Sequence, residues 1–191
     1  MSKIILAGSD DGVGSVTVVA PNTNSNQTLT LENATGTLAP LVLGTPRTAS
    51  GTNIDFTGIP SWVNRITITI YGMSTSGASN WLLRAGTGGV VATTGYNAAS
   101  STNEMSTLGT TYYTNGFGIR VNSGAYVIHG NIVLVKHNDV RWMCSHQLAG
   151  DIAAIHGSGG VALAGPLDIL RLTTVNGTDT FDAGTINIMY E

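Results

Sequence analysis

Apolar and polar residues alternate with a period of two through many short runs of this chain, and helical periodicity is almost absent. Such alternation predicts strands that hold one face to a core and turn the other outward. In residues 65–71, Ile66, Ile68 and Ile70 point one way while Thr67 and Thr69 point the other. Residues 126–135 set Tyr126, Ile128, Ile132 and Leu134 against His129 and Asn131, with valines on that second face as well. A second face that is partly apolar predicts cover from both sides, with a neighbouring subunit as the second cover. Residues 141–148 place Trp142, Cys144, His146 and Leu148 on one face; residues 169–175 bury Leu170 and Leu172 with Arg171 outward. Ile186, Ile188 and Tyr190 form the last inward set.

Turn signals separate these runs: Ser76-Gly77, Gly88-Gly89, Asn115-Gly116, Ser123-Gly124, Gly159-Gly160 and Asn176-Gly177. Short strands spaced in this way predict an all-β fold, an antiparallel, jelly-roll-like β-sandwich over residues 48–191. Pro60 keeps Ile59 extended and steers the chain into the strand at 66–70, with Trp62 plugging the sandwich end. Asn176-Gly177 suits a hairpin between the last two strands. Residues 1–47 read differently. Two short β runs, 15–20 and 27–31, flank an all-polar turn, and few large side chains accompany them. A strand pair so poorly supplied is marginal alone, so this extended β arm is expected to dock on partner chains.

Composition sharpens the picture. Of 191 residues only 10% are charged, against about 25% in average soluble proteins. Serine, threonine, asparagine and glycine fill the difference, and a surface of that kind suits a packed assembly. Net charge is −3, and the two lysines, Lys3 and Lys136, and six scattered arginines form no basic stripe. No nucleic-acid partner is therefore expected. The single cysteine, Cys144, excludes an intrachain disulfide. The apolar run after Lys3 is too short for a signal peptide, and no stretch reaches the roughly 20 apolar residues of a membrane helix. A soluble product made in the cytoplasm is expected.

Three stretches carry a resemblance. "SVTVVAPNTNSNQTLTLENATGTLA" at 15–39 resembles the arm near the N-terminus of many phage tail-fibre and head-associated proteins. "GIPSWVNRITITIYGMSTSGASNWLLRAG" at 58–86 and "LDILRLTTVNGTDTFDAGTINIMYE" at 167–191 look like the opening and closing strands of a β-sandwich recurrent in phage and prophage structural proteins. The resemblance covers most of the chain, is weakest over 97–165, and brings no catalytic residues. It implies a structural protein of a tailed-bacteriophage virion, either a capsid decoration or a short head or tail fibre subunit. Such a protein would attach to capsid or tail proteins through residues 1–47 and stand on the virion surface.

Candidate chemistry is sparse. Cys144 and His146, two apart on a strand, share a face and would permit a zinc ligand pair, but Trp142 and Leu148 share it too, and a core cysteine is the favoured reading. His129 and His137 lie eight residues apart, about 26 Å along one continuous strand, and neither they nor His156 has a carboxylate at motif spacing. Asn176, Asp179 and Asp182 could offer oxygens to calcium, but the run lacks the dense acidic pattern of a dedicated loop, and a hydrogen-bonded turn is the favoured reading. Residues 153–164 superficially resemble a phosphate-cradling loop but lack the following lysine; a flexible hairpin is expected. Trp81, Tyr96, Tyr112, Tyr113 and Phe117 are the candidates for receptor or subunit contact, with packing in the core or between subunits the favoured reading over receptor contact. The eleven acidic residues show no convincing catalytic pair. The expectation is a non-enzymatic homotrimer without cofactor or metal. The alternative is a tail-fibre adhesin that recognises host surface glycans.

Overall fold

The computed structural model describes residues 40–104 and 108–191. Contacts divide the chain into Met1–Thr37 and Leu38–Glu191, and the described residues all belong to the second unit. The expected arm strands at 15–20 and 27–31 lie outside the described residues.

No helix occurs among the described residues, and every strand pairing is antiparallel. In chain order the strands are β1 (Val42–Leu43), β2 (Arg47–Thr48), β3 (Asn53–Thr57), β4 (Arg65–Thr75) and β5 (Trp81–Thr87). Then come β6 (Val90–Val91), β7 (Tyr96–Glu104), β8 (Leu108–Tyr113), β9 (Phe117–Ile119) and β10 (Ile128–Asn138). The last four are β11 (Arg141–Ala149), β12 (Ala153–Ala162), β13 (Ile169–Thr174) and β14 (Phe181–Tyr190). The larger sheet runs β1-β14-β4-β10-β11-β12-β7-β8, with β2 beside β1 on the same partner; the smaller runs β3-β13-β5-β6, with β9 also on β5. Side chains from both sheets enter one hydrophobic cluster, an arrangement consistent with a β-sandwich.

The alternation read from the sequence becomes the inner face of the larger sheet. Ile66, Ile68, Ile70, Ile132, Leu134, Trp142, Leu148 and Ile186 are all buried. Strand β11 alternates outward and inward at each of its nine residues. Strand β5 does not alternate. Trp81, Leu82, Leu83 and Ala85 are all buried because the loop at Gly116 covers Leu82 from the opposite side. Gly88 and Gly89, at φ 63° and 75°, make the two-residue turn between β5 and β6, which requires positive φ at both positions.

Three expectations change. Asn176-Gly177 is not a hairpin: β13 is already flanked by β3 and β5, so the chain leaves for the other sheet and β14 pairs with β4. Trp62 does not plug an end; it is 42% exposed and leans on Tyr190 at 5.9 Å between ring centroids. Residues 153–162 are no flexible hairpin. They form β12, hydrogen-bonded along β11 on one side and β7 on the other. Strand pairing also reaches back into the residues expected to form the arm, since Val42–Leu43 and Arg47 pair with β14.

Candidate functional site

The register of three strands explains the glycines of β12. His146 on β11 lies opposite Gly157, and Gly157 lies opposite Ser100 on β7. With no side chain between them, the His146 ring crosses over Gly157, and its Nε2 comes to 3.1 Å from Ser100 Oγ. A Cβ on Gly157 would stand 2.4 Å from His146 Cε1 and 2.5 Å from the Ala99 carbonyl oxygen. Gly159 repeats the arrangement two residues on, beneath Cys144 and beside Ala98. Gly157→Ala is therefore expected to cost about 1–3 kcal/mol, as overpacking against a fixed neighbour does. Urea unfolding of the variant, set beside Ala154→Gly at an exposed position of the same strand, measures it.

A serine hydroxyl beside an imidazole is the arrangement of a nucleophile with its base. Here Ser100 and His146 are only 1% and 4% exposed, and Ser100 Oγ also accepts the Arg120 backbone N–H at 3.0 Å. The oxygen is therefore enclosed within the fold. Burial, helped by the neighbouring His156, pushes His146 down to about 4, so the ring is neutral across the physiological range. The pair acts as a polar clamp between β7 and β11.

Cys144 does share the inner face with His146, but the imidazole Nε2 is turned to Ser100, and no cluster of metal-ligating side chains occurs among the described residues. Burial pushes the Cys144 thiol up, away from the reactive thiolate. Its thiol is expected to be silent toward a disulfide-exchange reagent in the folded protein and to react once per chain in denaturant; a fast reaction without denaturant contradicts this burial.

The asparagine loop is a closed turn. Asn176 Oδ1 accepts Thr174 Oγ1 and the N–H groups of Thr178 and Asp179, while Asp179 accepts Asn176 Nδ2 and the Ser79 N–H. Asp182 accepts Ser74 Oγ. Of the other histidines, His129 and His137 both fall on β10, as their spacing predicts for one strand, and His129 Nδ1 accepts the Gly72 N–H.

The five aromatic candidates separate sharply. Trp81, Tyr96, Tyr113 and Phe117 are core residues; of the two roles weighed for them, packing holds and surface contact does not. Trp81 packs edge-on against Phe181 at 5.3 Å and donates from Nε1 to Thr75 Oγ1. Tyr96 meets Phe117 at 5.1 Å, and its hydroxyl bonds both backbone groups of Ala85, which ties β7 of one sheet to β5 of the other. Burial pushes this phenol up to about 12. Tyr113 lies over Gly118, where a Cβ would overlap its ring.

Tyr112 alone of the five is a surface residue, 80% exposed on the outer face of β8. It borders a shallow depression of about 560 Å³ that extends across β7 and β12 to β11. Alanines and glycines floor it; Asn97, Ser158, Met143, His137 and Arg141 complete its border with Tyr112. Of these five, sequence reasoning singled out only His137, for another role, and missed the other four. The available signal was the outward half of β11, where Arg141 and Met143 alternate with the buried Trp142 and Cys144. Comparison with known protein families, curated proteins and solved structures finds no match to this chain.

Proposed function

We propose that the chain is a non-enzymatic structural subunit of a tailed-bacteriophage virion, a capsid decoration or short fibre protein, that stands on the particle as a homotrimer. In this reading its head is a jelly-roll-like sandwich, and its first 47 residues attach it to capsid or tail proteins. The supporting observation is the outer face of the larger sheet. One row of cross-strand partners, outside the groove beside Tyr112, runs Ser145, Val133, Thr67 and Met189 without a charge. On β10 and just before it, Val127, Val133 and Val135 form the apolar second face, and Val127 and Val135 are 39% and 48% exposed. A charge-poor face with aliphatic side chains at its middle suits burial against copies of the same chain.

Light scattering is expected to return three times the 19.7 kDa chain mass. Val133→Asp should then convert trimer to monomer without unfolding, since the residue faces outward. A stable monomer of the unaltered chain at micromolar concentration would sink the trimer. Absence of the chain from purified virions would sink the virion assignment.

The groove beside Tyr112 favours a second reading, an adhesin that contacts host surface glycans. Open, shallow sites with an exposed aromatic ring and a few polar groups suit a flexible polyhydroxylated ligand better than a small apolar one.

A further inference from the structure

We infer that the groove on the outer face of β8, β7, β12 and β11 binds a carboxylate-bearing saccharide, with Tyr112 as the platform for a sugar ring and Arg141 as the carboxylate receptor. This inference rests on the adhesin reading and names its ligand class. Three features carry it.

The first is the floor. Neighbouring outward positions are Ala99, Ser158, Gly160 and Ala162, so a ligand meets a smooth surface close to the backbone. Those backbone groups are already paired within the sheet, so they demand nothing from it. Specificity falls to the few side chains that stand above the floor. The second feature is the ring of Tyr112. It is 80% exposed on a rigid strand, where the hydrophobic C–H face of a pyranose can lie against it and displace poorly held water.

Charge is the third. Arg141 is exposed and has no ion-pair partner among the described residues, whereas Arg65 and Arg171 pair with Glu191 and Asp55. Among the described residues that border the groove, none is acidic. A guanidinium offers a carboxylate two parallel N–H donors, a geometry that a neutral hydroxyl cannot fill. The Arg141 backbone is also fixed: its N–H, with that of Val140, donates to Asn138 Oδ1 in the turn after β10. Three strand spacings and four residues separate Tyr112 from Arg141, on the order of 20 Å between Cα atoms. That span matches a short oligosaccharide and exceeds a single sugar. Asn97 and Ser158 stand between the two ends as hydroxyl partners.

Saturation-transfer NMR and calorimetry on the full chain test this with matched probes: a galacturonate trimer and sialyllactose, each beside its neutral methyl ester. The acids are expected to bind and their esters to bind about ten- to a hundredfold more weakly, the worth of a charge-assisted hydrogen bond. Arg141→Gln should bring acid and ester to the same weak affinity, and Tyr112→Ser should weaken both forms. Circular dichroism should be unchanged for each variant, because both side chains face outward. Equal binding of acid and ester by the unaltered chain overturns the acidic class while the adhesin reading stands. Failure of every probe to bind overturns both. Binding that neither substitution alters overturns the assignment to this groove.

Discussion

Trp142→Ala is expected to lower the stability of the folded unit by about 3–5 kcal/mol, the range for a deleted core aromatic that leaves a cavity. Trp142 is 1% exposed on the inner face of β11 near its start, with Lys136 and Val161 as its cross-strand partners. Its indole Nε1 makes no hydrogen bond, so the residue contributes through its rings alone. Trp142→Phe should therefore cost much less than Trp142→Ala, since it keeps one ring and removes an unpaired donor. The Lys136 ammonium stands 5.7 Å from the ring centroid and donates to the Ser61 carbonyl, so the alanine variant also loosens the turn before β4. Equilibrium urea unfolding of the three proteins decides it. Equal losses for phenylalanine and alanine would show that a donor role for the indole had been overlooked.

Mild acid is the second large effect expected. Folding holds His146 at about 4, below the 6.5 of an exposed imidazole. The folded state thus favours the neutral ring, and the unfolded chain binds the extra proton first. Stability from this group is complete above pH 6.5 and is lost progressively as pH falls toward 4, below which it changes no further. Over that window the loss integrates to about 3 kcal/mol. Carboxylates titrate at the lower end of the same range, so the diagnostic is a difference. His146→Gln, which retains a polar group within reach of Ser100, should remove the part of the pH dependence between 6.5 and 5. Thermal unfolding of both proteins across this interval checks it; parallel curves would mean that another group carries the acid sensitivity.

What the sequence made legible depends on whether a strand is buried on one face or two. β11 was fully readable, since Trp142, Cys144, His146 and Leu148 recur with a period of two and each found its predicted face. β5 was not, because Trp81, Leu82 and Leu83 are buried on both sides and periodicity disappears. The glycines of β12 misled for another reason. A glycine that permits a turn and one that makes room for a neighbour's side chain look identical in a string, and only the His146–Gly157–Ser100 register separates them. Exposed aromatics posed the same difficulty. Tyr112 and Tyr113 are adjacent, yet their exposures are 80% and 6%, because successive side chains on β8 point to opposite faces. The groove stayed hidden because its residues come from β8, β7, β12 and β11, strands whose adjacency no local pattern announces.

The position of β14 has a kinetic meaning. It inserts between β4 on one side and β1 with β2 on the other, so Ile186 meets Ile70 and Arg47, residues more than a hundred positions earlier. Pairings so distant in sequence must pay loop-closure entropy before they return any stability, which places this protein among slow folders, on a scale of about milliseconds to seconds. Until β14 is seated, β4 has a bare edge, with Ile66, Ile68 and Ile70 beside a row of unpaired amides. That intermediate is the species on which off-pathway association would begin, and a ribosome must finish nearly the whole described unit before the edge can be sealed.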